Sequence, residues 1–259
     1  MRYTSDLTNT EWQLIHYCFP KASKKGRPRK HPFGELLNAI FYLVKTGCQW
    51  RNLPKDFAPW CTVYHYFRLW KRNGLLNQIH THLREHLRLV EGRKPQPSAA
   101  IIDSQSVKST ETSDERGYDA GKKINGRKRH ILVDTIGLIL LVMVLPANIQ
   151  DRDGAKHLLA AFFRQRSRRS VKHIWADGGY AGRLLEWARR VCRCTVEIVK
   201  RSQLHTFKVL PRRWVVERTF GWLGRSRRLS RDYERQATTG QTMVYLAMIR
   251  LMLARLGNH

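Results

Sequence analysis

The chain has 259 residues, with 48 Lys and Arg against 20 Asp and Glu and a formal net charge of +28. Its 42% hydrophobic content is that of a folded body, which excludes a disordered basic tail and puts the charge on a globular surface. The most apolar runs, Ile131–Leu145 and Met243–Leu253, are cut by Asp134 and Arg250 and fall short of the ~20 residues of a membrane span.

Nucleic acid is therefore the first expected partner, and an anionic membrane surface the second. The opening MRYTSDLTNTEW lacks the apolar core of a signal peptide. Five scattered cysteines (Cys18, Cys48, Cys61, Cys192, Cys194) point to buried thiols in a reducing, cytoplasmic compartment, and Cys192–Cys194 has no second pair to complete a zinc site.

Residues 1–91 read as helical. Thr8-Asn9-Thr10-Glu11 has the spacing of a capping box, with Trp12, Ile15 and Phe19 following on one face. Leu36, Leu37, Ile40, Phe41 and Val44 mark a helix over Phe33–Thr46 that Gly47 stops, and Val63, Tyr66, Phe67 and Trp70 mark another over Thr62–Asn73. Leu76, Ile79, Leu83 and Leu87 mark a fourth. The second and third form either a helix-turn-helix, with Arg68 on its outer face, or part of a bundle with a basic face. The Lys21–Lys30 stretch carries Gly26-Arg27-Pro28-Arg29, which reads as an AT-hook-like arm or as a solvated basic loop. Both readings put Arg27 and Arg29 on DNA.

Gly92–Ser98, GRKPQPS, has the composition of a linker, so the chain divides into 1–91 and 99–259. Beyond it Ala99–Asp103 reads as a strand, Ser104–Gly126 as polar loop, and Arg129–Asp134 with Leu138–Leu145 as a hairpin. Asp153 is placed to cap a helix through Phe163. Val171–Asp177 reads as a strand that turns at Gly178-Gly179 into a helix from Arg183. A strand at Thr195–Val199, a helix over 211–224 and a last helix over Thr239–Leu256 complete a mixed sheet flanked by helices.

Asp103 and Asp177 each end an apolar strand, at the edge where α/β sheets bind ligands. Glu217 sits among apolar residues on a helical segment, where a carboxylate needs a cationic partner. Three carboxylates on separate elements of a very basic chain point to two Mg²⁺ or Mn²⁺ ions ~3.5–4 Å apart, the arrangement that serves phosphodiester cleavage. Asp134, Asp151 and Asp153 compete for the same role, as a strand end, a loop acid and a helix cap.

Several stretches together resemble the insertion-sequence DDE transposases of the IS5/IS4-type group. They are WRNLP at 50–54, IIDSQSVK around Asp103, GYDAGKKINGRKRHILVDTIG at 117–137, WADGGY at 175–180 and RRWVVERTFGWLGRSRRLSRDYE at 212–234. The resemblance implies a ribonuclease-H-like catalytic domain in which Asp103, Asp177 and Glu217 hold the metal ions. The family's Tyr-Arg-Glu-Lys signature is kept at Arg213 and Glu217, whereas Leu210 and Gly224 replace its first and last members and Arg225 stands next to the missing lysine.

Two basic blocks then acquire a phosphate-binding role: Lys122, Lys123, Arg127, Lys128, Arg129 and His130 before the hairpin, and Arg225, Arg227, Arg228 and Arg231 after the Glu217 helix. The implied function is cleavage at the terminal inverted repeats of the element and joining of its 3′ ends to target DNA, by a homo-oligomer that pairs two ends. The alternatives are a metal-dependent DNA nuclease without strand transfer and a catalytically inactive DNA-binding derivative.

Overall fold

A computed structural model describes residues 3–21, 29–164, 170–199 and 213–258. Its elements run α1 (Asn9–Gln13), α2 (Phe33–Thr46), α3 (Trp60–Arg72), α4 (Leu75–Val90), β1 (Ala99–Lys108), β2 (Gly117–Asp119), β3 (Ile124–Asp134), β4 (Ile139–Pro146), α5 (Asp151–Phe163), β5 (His173–Ala176), α6 (Arg183–Trp187), β6 (Thr195–Ile198), α7 (Arg213–Gly224) and α8 (Ala237–Leu256). They fall into two compact units. One is Met1–Glu91 with Leu223–Ser230 and Thr242–His259, and the other is Gly92–Trp222 with Arg231–Gln241.

The second unit is built on β1. β3 pairs with it antiparallel on one side and β5 parallel on the other; β4 extends the sheet beyond β3, and β6 lies parallel beyond β5. An antiparallel hairpin on one flank of the first long strand and two parallel strands on the other is the ribonuclease-H-like order. Successive side chains of a strand point to opposite faces. Ala100 and Ile102 accordingly join Leu132, Leu158, Leu159, Phe162, Ile174 and Tyr180 in a core that α5 and α6 cover.

β1 runs to Lys108, so the expected loop from Ser104 is a strand for its first five residues, and β2 is a short strand within the rest. Polar side chains at Ser104, Gln105 and Ser106 disguise it. Nor does Asp153 cap α5: the N-cap position is Gln150, and Asp151 and Asp153 both lie in the first turn.

In the first unit the capping box forms as its spacing requires. The Thr8 hydroxyl accepts from the Glu11 backbone N–H at 3.1 Å, and Glu11 Oε2 accepts from the Thr8 N–H at 2.9 Å. Gly47 closes α2 with φ +76°, a left-handed conformation that disfavours a side chain. The expectation that residues 99–259 form one body is corrected by α8. Its Val244, Leu246, Met248, Ile249 and Leu253 are buried, the Tyr245 ring lies 4.8 Å from that of His80 on α4, and Arg250 donates to Glu11 Oε1 at 2.7 Å. A helix apolar on so many sides has to be enclosed, and the N-terminal helices enclose it.

Candidate active site

The β1–β5 ladder pairs Ala99 with His173, Ala100 with Ile174 and Ile101 with Trp175. That ladder ends two residues before Asp103 on β1 and two before Asp177, which follows the last residue of β5. Asp103 Oδ1 accepts from the Ser104 backbone N–H at 2.7 Å. Asp177 leaves β5 in extended conformation, and its Oδ1 accepts from the Gly179 N–H at 2.8 Å, capping a single 3₁₀ turn. A Cβ on Gly179 would lie 3.0 Å from that oxygen, so the glycine gives the carboxylate its room. The left-handed residue of this turn lies further on, at Gly182 with φ +98°. Both carboxylates are partly exposed.

Glu217 lies on the exposed side of α7. The next two residues hold the helix to the β3–β4 turn: Arg218 Nη2 donates to the Ile136 carbonyl at 3.0 Å and the Thr219 hydroxyl to the Gly137 carbonyl at 2.8 Å. That turn follows Asp134, which pairs with Ala100, three residues before Asp103 on β1. Asp103 and Asp177 thus lie just beyond the last registered pair of two neighbouring strands, and Glu217 lies on α7. Among the described residues no three or more His, Cys, Asp or Glu side chains converge on a metal position. Two partly exposed carboxylates do suit Mg²⁺ or Mn²⁺, which retain waters and take one or two protein oxygens beside substrate phosphate.

The competing acids have other partners. Asp134 is fully buried and accepts from the Ile136 and Leu138 N–H groups at 3.0 and 2.8 Å, closing the hairpin turn. Asp153 pairs with Lys156 at 3.1 Å on the surface. Asp151 accepts from the Ser104 hydroxyl at 2.8 Å and from Lys128 Nζ at 3.0 Å. Burial acts to raise its pKa, but those two contacts outweigh it and hold the carboxyl below its usual value.

The block 127–130 is not the phosphate-binding face that the sequence suggests, because all four side chains are buried. The strand pleat divides them between two covers. Arg127 donates to the carbonyls of Glu115, Glu234 and Arg235 at 2.6–2.7 Å and pairs with Asp232, and Arg129 donates to the Arg231 carbonyl. Lys128 reaches Asp119 and Asp151, while His130 lies under α5, where a Cβ on Gly154 would meet its ring at 2.2 Å. Burial pushes the His130 pKa down to about 4, so the ring is neutral at physiological pH.

Arg228 is also mostly buried and donates to the Cys48 carbonyl at 3.1 Å. Arg29, Arg68, Lys122, Lys123, Arg225, Arg227 and Arg231 are exposed. Arg225 lies just past the end of α7, and its carbonyl accepts from Lys45 Nζ at 3.3 Å. Arg27 and the side chain of Arg213 lie outside the described residues.

Residues 94–252 match the model of the transposase DDE domain, and residues 7–80 match that of a putative transposase of the IS4/5 family. The chain is 32% identical over 117 residues to a putative transposase for insertion sequence element IS402 of Burkholderia cepacia, covering 43% of this chain and 56% of that protein. It thus spans little more than half the length of that relative. An uncharacterized 16.2 kDa protein of the same element is 28% identical over 119 residues, covering 44% of this chain and 74% of its own. Among solved structures, the Mos1 strand transfer complex aligns over 91% of this chain and 79% of its own at 14% identity. Its TM-score of 0.24 is too low to carry any statement about this fold.

Proposed function

Since the chain belongs to the IS4/5-type DDE transposases, we propose that it cuts DNA at the ends of its own element and joins the freed 3′ ends to target DNA, with Asp103 and Asp177 holding a divalent cation. The observation that supports this reading is the parallel β1–β5 register, whose last pair, Ile101 with Trp175, stands two residues before each aspartate. A bound Mg²⁺ or Mn²⁺ supplies charge neutralisation and activation of the attacking oxygen. The chain's own part is orientation: the Ser104 N–H fixes one carboxylate and the Gly179 N–H the other, so both present oxygens without rearranging.

In this reading Glu217 is the third donor and joins the pair in the metal-loaded, DNA-bound state, with a second ion following the same set. Exposed Lys122, Lys123, Arg68, Arg225, Arg227 and Arg231 contact phosphate, and the active form is a homo-oligomer that pairs two ends at the chromosome, in the cytoplasm. Arg225 takes the place of the signature lysine.

The test uses the full chain, Mg²⁺ and linear DNA carrying the sequences that flank its reading frame. Wild type is expected to give joined products; cut ends alone would favour the nuclease reading, and neither product an inactive DNA-binding derivative. Asp103→Asn and Asp177→Asn are expected to abolish cleavage at unchanged DNA affinity. Glu217→Gln decides the third position, since full activity would remove it from the site.

A further inference from the structure

Behind Asp103, on the face of β1 that α5 covers, a chain of polar contacts leads from Ser104 to residues with no part in the site described so far. Ser104 follows Asp103 and points to the opposite face. Its backbone N–H holds Asp103 Oδ1 at 2.7 Å while its hydroxyl donates to Asp151 Oδ1 at 2.8 Å. Lys128, 5% exposed, lies 3.0 Å from the same Asp151 oxygen, donates to the Ile149 carbonyl at 3.0 Å and sits 3.4 Å from Asp119. Asp119 in turn accepts from the Ser106 hydroxyl at 2.6 Å, two residues further along β1.

The Lys128 side chain is 6% exposed and that of Asp151 31%, so the pair adds little stability of its own. What it supplies is registration. Two successive covered positions of β1, Ser104 and Ser106, are tied through Lys128 of β3 to the first turn of α5 and to β2. Tyr180, three residues after Asp177, comes into the same buried space. It is 1% exposed, and its hydroxyl lies close to the Ser104 side chain, with Asp103, Asp151 and Asp177 near enough to act on it.

From this geometry we infer that Asp151, charged and held by Lys128, is a positioning residue for Asp103: through Ser104 it fixes the strand, and with it the carboxylate that takes the divalent cation. The inference rests on the reading that Asp103 and Asp177 bind such a cation. Asp151 touches no substrate in this scheme. Its effect passes through one hydroxyl and one backbone N–H, as outer groups orient ligands in metal sites generally.

The deciding variant is Ser104→Ala, which cuts the link and leaves the Lys128–Asp151 pair intact. Mn²⁺ binding to the full chain is measured by calorimetry without DNA, for wild type, Asp103→Asn, Ser104→Ala, Ser104→Thr and Asp151→Asn. Ser104→Ala and Asp151→Asn are expected to weaken Mn²⁺ binding about 10-fold or more, with unchanged circular dichroism, and Ser104→Thr, which keeps the hydroxyl, to restore it. Turnover on the element's ends is expected to fall with KM for DNA unchanged.

Wild-type Mn²⁺ affinity in Ser104→Ala would overturn the inference and leave the metal reading standing. Equal Mn²⁺ binding by wild type and Asp103→Asn would overturn the metal reading and the inference with it. If Ser104→Thr is as weak as Ser104→Ala, packing rather than the hydrogen bond is responsible, and the inference falls.

Discussion

Arg127 shows how far a charge can mislead when only its position in a run is known. Within GRKRH it resembles a phosphate contact, yet its guanidinium is wholly buried, donates to three carbonyls and lies 3.4 Å from buried Asp232. Once the segment is known to be a strand, the run splits into two alternating pairs, but nothing in it says that both faces are covered. The two kinds of basic residue separate experimentally. Arg127→Ala leaves three carbonyls without their donor and removes the cation 3.4 Å from buried Asp232, so a loss of ~3–5 kcal/mol is expected in denaturant unfolding. Exposed Lys122→Ala is expected to leave stability within ~0.5 kcal/mol and to reduce the salt dependence of DNA binding by about one ion. Equal stability of the two variants would contradict the burial.

At the scale of elements, hydrophobic period placed the strands and helices whose cores are apolar and failed where a strand is polar. Ile101, Ile102, Ile174 and Ala176 announce β1 and β5, but Asp103 lies in the middle of β1 rather than at its end, and Asp177 follows β5. Ser104, Gln105 and Ser106 continue β1 without an apolar signal, because the covered positions hydrogen-bond to Asp151 and Asp119. Glu217 could be assigned to a helix, but period does not say where that helix docks.

The α5–β3 packing provides a sharper test. Gly154 lies inside α5, where alanine would favour the helix by ~1 kcal/mol. Here, however, a Cβ would sit 2.2 Å from the His130 ring, which is enclosed and has no room to retreat. Overpacking of this kind costs ~1–3 kcal/mol. Gly154→Ala is therefore expected to lower the melting temperature despite its better propensity, and a higher one would mean that α5 rides further from the sheet.

At the scale of the whole molecule, the units divide between Glu91 and Gly92, and the expected linker Gly92–Ser98 belongs to the second unit, where Pro97 is buried and the Ser98 carbonyl accepts from the Lys172 N–H at 2.8 Å. The return of the chain end was not legible, since a helix apolar on most sides requires burial without naming the partner. Residues 1–91 therefore look self-sufficient in sequence and are not so in structure. Without α8, the partners lost are the Tyr245 ring against His80, the Arg250 donor to Glu11 Oε1 and to the Ser5 carbonyl, and the buried faces of Val244, Met248 and Leu253. Each such apolar side chain contributes ~1.5–3 kcal/mol when fully buried, and a domain's whole stability is ~5–15 kcal/mol. The fragment 1–91 is expected to melt broadly, without a cooperative transition. Joining residues 223–259 to it through a flexible linker is expected to restore a sharp one. A fragment 1–91 that melts as sharply as the full chain would show that α8 lies on a unit already complete.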